Sequence, residues 1–153
     1  MKRTTIIETI IFSYVVLFIY TGISKLLDSS TFKENIAESK VLEPVASLIA
    51  WGVPLVEFII ATLLIVPRWR LKGLYAALTI MSVFTTYVIC LLIFAPNLPC
   101  SCGGIIQRLS WPQHIIFNCA FILLATWCIV LQKKENKAQI IASPTIKHKS
   151  IPI

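Results

Sequence analysis

GLYAALTIMSVFTTYVICLLIFA, residues 73–95, runs from Gly73 to Ala95 without one charged side chain. At 1.5 Å rise per residue a helix of this length spans about 34 Å, enough to cross a hydrocarbon core about 30 Å thick. A strand of a membrane barrel would alternate apolar and polar positions over about ten residues. This run does not alternate, and in lipid a helix satisfies every backbone group internally, so the stretch predicts a transmembrane helix. Outward from it, three more apolar stretches lie between charged residues, roughly Thr9 to Ser24, Pro44 to Val66 and Pro112 to Gln132. The first crosses by taking a few flanking residues with it. The expected fold is all-α: an integral membrane four-helix bundle, up-and-down, over residues 1–132.

Composition supports this and excludes much else. The 153 residues are 57% hydrophobic and 14% charged, with mean hydropathy +0.82; ordinary soluble domains are about 45–50% apolar and about 25% charged. Four spans leave no room for a separate enzyme domain. The net charge of +7 does not point to nucleic acid, because no stretch joins clustered basic residues to a folded polar surface. Met1-Lys2-Arg3 before an apolar run also has the form of a secretory signal. No Ala-x-Ala-like step comes after it, however, and Lys25 and Asp28 close the segment as a stop would, so the first span reads as uncleaved.

Lys and Arg set the orientation. Ten fall on one side: Lys2 and Arg3, then Arg68, Arg70 and Lys72, then Lys133, Lys134, Lys137, Lys147 and Lys149. Four fall on the other: Lys25, Lys33, Lys40 and Arg108. By the positive-inside rule both termini are cytoplasmic and the first and third links face outward. Trp69 and Trp127 then mark the inner interface and Trp111 the outer one. In the first outer link, Thr31 and Glu34 have the form of a capping box, and Phe32, Ile36, Ala37, Val41 and Leu42 share one side of the helix they would open. That short helix is expected to lie over the bundle as a lid, with partner docking as its alternative. The basic segment 133–153 mixes Lys, Ser and Pro without a period and reads as a disordered tail.

The chemistry-bearing motif is Pro99-Cys100-Ser101-Cys102-Gly103-Gly104, in the second outer link. A Cys-x-Cys disulfide closes a very small ring, and a strained bond exchanges readily with another thiol. Pro96 and Pro99 stiffen the approach; Gly103 and Gly104 admit unusual dihedrals and give a partner sulfur access. The thiolate is the attacking species, and Arg108 nearby favours it. Cys102, beside the glycines, is taken as the attacker and Cys100 as the resolving thiol. Two other readings stay open: plain loop thiols or a structural bridge, and a Cu(I) or Zn site with His114, which lacks an obvious fourth ligand. Cys90 and Cys119 are expected roughly 8–10 Å below the outer surface, where they would form a relay pair if their helices pack antiparallel. Behaviour as small hydrophobes is the alternative. Cys128, near the inner interface, has no partner on its side.

Glu57 stands inside the second span, three residues after Pro54, where a carboxylate costs at least about 3 kcal/mol unless paired or protonated. It should face the bundle interior, either as a proton acceptor beside a quinone or as a hydrogen-bonded residue holding helices in register. Lys25, at the end of the first span, is expected to pair with Asp28 or to snorkel to the headgroups. His114 opens the fourth span next to the Cys loop, where an imidazole exchanges protons at neutral pH or simply bonds at the surface.

Tyr20-Thr21-Gly22-Ile23-Ser24-Lys25-Leu26-Leu27-Asp28, then Phe32, and Pro54-Leu55-Val56-Glu57 resemble the DoxX-type four-helix membrane family. The loop Cys100-Ser101-Cys102-Gly103-Gly104 before the last helix resembles its MauE branch, the methylamine utilisation protein family. The similarity covers about residues 5 to 132, and Gly22, Lys25 and Asp28 carry its first motif. It implies a bacterial inner-membrane protein tied to periplasmic disulfide chemistry, in MauE to maturation of the disulfide-rich small subunit of methylamine dehydrogenase. The family's loop usually reads Cys-Gly-Cys followed by Phe-Gly; here Ser101 and Gly103 replace the first Gly and the Phe. The expected function is thiol-disulfide exchange with a periplasmic thioredoxin-like or disulfide-containing partner, electrons passing to or from a membrane quinone or a second redox protein. The rivals are a non-catalytic membrane subunit or assembly factor, and a metal carrier.

Overall fold

A computed structural model describes residues 2–37, 43–94 and 111–142. Among them every regular element is helical: α1 (Lys2–Leu27), α2 (Ser29–Ala37), a 3-10 turn (Glu43–Val45), α3 (Ala46–Ile65), α4 (Arg70–Phe94) and α5 (Trp111–Ala142). Four of these, all but α2 and the turn, are long and apolar enough to cross a membrane. The expected all-α fold with four spanning helices is what the chain adopts.

The four long helices close into a ring in which α3 packs between α1 and α4, α4 packs on α5, and α5 returns to α1. The seam is built from one stripe per helix. On α1 it is Ile7, Ile10, Ile11, Tyr14 and Phe18; these meet Ile60, Ala61 and Leu64 of α3, Leu74, Ala77 and Met81 of α4, and Ala125, Cys128 and Ile129 of α5. Steps of three and four residues keep each stripe on one face. Small residues on the stripes let backbones approach, which matters in lipid because apolar burial gives helices little reason to associate there. Gly73 shows how close they come: a Cβ there would lie 3.0 Å from the Leu64 backbone nitrogen. The opposite faces carry Phe12, Leu48, Trp51, Leu55, Val83, Ile93, Ile116 and Leu123, all more than half exposed. So much apolar surface suits lipid rather than water. A buried polar contact ties the ring across α1 and α5, where the Tyr14 hydroxyl donates to the Phe121 carbonyl and the two rings meet edge to face at 5.1 Å.

Three boundaries differ from the sequence reading. The first span is longer than Thr9 to Ser24, because α1 already begins at Lys2. The segment from Lys133 is not disordered throughout: α5 continues to Ala142. Lys-Lys-Glu-Asn-Lys-Ala-Gln contains no strong breaker, and Glu135 is tied to α1 through the Thr4 hydroxyl at 2.8 Å. In the first outer link, α2 starts at Ser29, so Thr31 lies inside it and does not cap it. The Asp28 carbonyl accepts the first helical bond, from the Phe32 amide at 3.0 Å, which is the N-cap role. The lid expectation fits: Phe32 and Ile36 are buried against Ala46 and Ala50 of α3, and Lys33 and Glu34 face outward. Val41 and Leu42 lie outside the described residues.

Candidate functional site

The stripe on α1 changes character toward its end. Continuing from Tyr14 and Phe18 in steps of three and four, it reaches Thr21 and Lys25, 7% and 4% exposed. On α3 the stripe that holds Pro54, Ala61 and Leu64 also holds Glu57, 2% exposed. The two charges meet: Lys25 Nζ donates to Glu57 Oε1 at 2.5 Å. Lys25 therefore neither snorkels nor pairs with Asp28. The next element is the reason, since α2 folds back over this end and sets the Phe32 ring 5.9 Å from Nζ, while the Phe84 ring of α4 stands at 5.5 Å. A cation between aromatic faces gains from their quadrupoles, and the stem has no open path to water.

Glu57 faces the interior, as a carboxylate in a span must. Gly22 makes room for it. A Cβ at Gly22 would come within 3.1 Å of the Phe58 ring and 3.4 Å of Glu57 Oε2, so only glycine lets α3 lie this close to α1 without displacing a neighbour. Oε2 itself has no hydrogen-bond partner. The Thr21 hydroxyl stands beside the Glu57 carboxylate but gives its proton to the main chain, to Leu17 O at 3.0 Å and Phe18 O at 3.4 Å. The Thr85 hydroxyl of α4 likewise donates to Met81 O, at 2.7 Å. Pro54 adds a local effect, because it has no N–H for the Ala50 carbonyl one turn earlier.

The fourth wall comes from α5. His114 and Asn118, one turn apart, are 5% and 4% exposed. His114 is thus an interior residue and not a surface one, its Nδ1 lacks a hydrogen-bond partner, and it lies within electrostatic reach of Lys25. Lys25, Glu57, Thr21 and His114 thus come together from α1, α3 and α5, with Phe84 of α4 beside them, and Thr85 and Asn118 are further buried polar residues of α4 and α5. Two atoms there, Glu57 Oε2 and His114 Nδ1, remain able to take or hold a proton. Burial of the pair is costly in itself. Two charges removed from water lose several kcal/mol each, roughly recovered by mutual attraction, and removal of one partner costs about 3–5 kcal/mol. Such clusters mark function more often than they add stability.

Over this arrangement the family becomes visible. Residues 3–131 match the family model of methylamine utilisation protein MauE. The chain belongs to that family. No curated protein and no solved structure gives a significant match. With four spanning helices, this MauE-family chain is a multi-pass membrane protein in a lipid bilayer. Its motif residues have distinct places: Gly22 at the α1–α3 approach, Lys25 in the ion pair, and Asp28 at the start of α2.

The thiols divide. Cys100 and Cys102, with Arg108, lie outside the described residues, in the segment that runs into α5 three residues before His114. Cys90 and Cys119 are free thiols on exposed faces of α4 and α5. Cys128 is fully buried beside Ala125 and Ile129, a small apolar filler. Sequence reasoning missed Thr21, Thr85, Asn118 and Phe84. Asn118 offered a signal, as an amide inside an apolar run at one turn from His114; the two threonines did not, because nine others share the chain.

Proposed function

We propose that this MauE-family protein performs thiol-disulfide exchange through Cys100 and Cys102 at the periplasmic face of a bacterial inner membrane, supporting disulfide formation or maturation of a partner protein. Cys102 as thiolate attacks a disulfide, one sulfur of which leaves as a thiolate. Cys100 then displaces the second sulfur, so one disulfide breaks as the Cys100–Cys102 bond forms and two electrons move to the partner. The reverse sequence oxidises a partner dithiol, and a membrane quinone or a second redox protein takes up or supplies the electrons. Each thiol that becomes a thiolate sheds a proton, and His114 and Glu57 are the groups proposed to handle it.

The observation that carries this reading is position. The buried Lys25–Glu57 pair and His114 lie in the half of the bundle toward which α1 and α4 run and from which α5 starts, and α4 and α5 are the two helices that the Cys-x-Cys segment joins. A proton-holding site with two open valences there suits a loop whose chemistry releases protons. The test is the double variant Cys100→Ser/Cys102→Ser, assayed for disulfide maturation of the partner and for membrane insertion. Insertion should be unchanged and maturation abolished. Full maturation by the double variant would overturn the exchange reading and leave a docking or assembly role, for which the exposed face of α2 around Lys33 and Glu34 is available.

A further inference from the structure

At the opposite end of the bundle, where α1 begins and α5 passes Lys133, a cavity of about 200 Å³ opens among Thr4, Glu8, Arg70, Gln132, Glu135 and Asn136. The exchange chemistry does not use it. A water molecule takes about 30 Å³ of liquid volume, so the space holds several waters or one small polar ligand.

Its hydrogen bonding is incomplete in a specific way. Arg70 gives Nη1 and Nη2 to the Glu8 carboxylate at 2.6 and 3.1 Å, which neutralises the guanidinium and leaves Nε a buried donor without a partner. Gln132 gives Nε2 to Asn136 Oδ1 at 3.1 Å, and its Oε1 is a buried acceptor without a partner. Glu135 accepts the Thr4 hydroxyl on Oε1 at 2.8 Å and makes the lining negative by one charge, two carboxylates against one guanidinium. One negative charge and an open acceptor call for a cationic N–H donor; the open Nε–H calls for an oxygen beside it. Arg3, Arg68, Lys72, Lys133, Lys134 and Lys137 crowd this end of the bundle. Their field repels a bare cation, so a zwitterion is favoured over a simple amine.

We propose that this cavity binds a primary ammonium joined by a short chain to a phosphate, the chemistry of phosphoethanolamine, carried by a phospholipid headgroup or free in solution. The ammonium donates to Gln132 Oε1 and Glu135, and a phosphate oxygen accepts from Arg70 Nε. A quaternary ammonium has no N–H and leaves Gln132 Oε1 unpaired. The depth fits a headgroup: Trp69 is 46% exposed close by, and Lys133 Nζ stands 5.4 Å from the Tyr75 ring, both marks of a membrane interface.

The test compares lipid retained by the full chain after transfer from bilayers of phosphatidylethanolamine or phosphatidylcholine, each mixed with the same share of phosphatidylglycerol, read by native mass spectrometry. The wild type should retain phosphatidylethanolamine about tenfold over phosphatidylcholine, the worth of a charge-assisted hydrogen bond. Glu135→Gln and Gln132→Leu should each abolish that preference. In a second arm, free O-phosphoethanolamine added to protein in detergent should raise the Tm of the wild type and not of Gln132→Leu; this effect without a lipid preference assigns the site to a soluble zwitterion. Equal retention of both lipids together with an unmoved Tm overturns the proposal, and that comparison needs no variant to fold. A preference that survives in both variants overturns it as well.

Discussion

Lys25 and Glu57 lie 32 residues apart in sequence and 2.5 Å apart in the bundle, and each explains the other's burial. Lys25→Met alone leaves a buried carboxylate unpaired, and Glu57→Leu alone leaves a buried ammonium; either should lower stability by about 3–5 kcal/mol. The double variant removes both charges and should return to within about 1 kcal/mol of the wild type or exceed it. Thermal unfolding in detergent reads these three values. Maturation of the partner reads something different: if Glu57 handles protons, the double variant stays inactive after its stability has returned, whereas a purely structural pair restores both. Glu57 was legible from the sequence, because a carboxylate inside an apolar run has few options. Its partner was not. A lysine near a helix end normally snorkels, and only the fold of the next element over it, with Phe32 closing the way to water, removes that option.

Among the elements, α2 does this closing. Its apolar side was readable from Phe32 and Ile36, but its start was not, since Asp28 and Thr31 both have N-cap chemistry and only the turn out of α1 selects Asp28. The far end of α5 was missed for a similar reason: lysines and polar residues look alike in a tail and on an exposed helix, and the bond from Thr4 to Glu135 comes from the other end of the chain. The lid reading of α2 makes a sharp expectation. Phe32→Ala removes a ring that is 9% exposed and should destabilise by about 3 kcal/mol. It should also open the path to Lys25, so that a water-soluble amine-reactive reagent labels that residue several times faster than in the wild type, read by peptide mass mapping. Unchanged labelling would show that α2 does not seal the pair.

For the molecule as a whole, the four-span architecture comes from hydropathy alone, because lipid admits few ways to satisfy a backbone. The direction in which it sits rests on charge. The bundle gathers Lys2, Arg3, Arg68, Arg70, Lys72, Lys133, Lys134 and Lys137 at the end that holds the start of α1 and the α3–α4 link, while Lys25 and Lys33 belong to the other end, the former paired in the interior. Burial of Lys25 with Glu57 takes one cation out of the outer count and sharpens the asymmetry that orients the chain. We therefore expect that in intact cells a membrane-impermeant maleimide labels Ser29→Cys, at the start of α2, and leaves Arg68→Cys untouched until the membrane is permeabilised. Both belong in a background whose native cysteines are replaced by Ser, since Cys90 and Cys119 are exposed on the bundle surface. The reverse pattern would place the Cys100–Cys102 segment in the reducing cytoplasm, where a strained disulfide does not persist. Exchange with a periplasmic partner would then be impossible, while the bundle and its buried ion pair would stand unchanged.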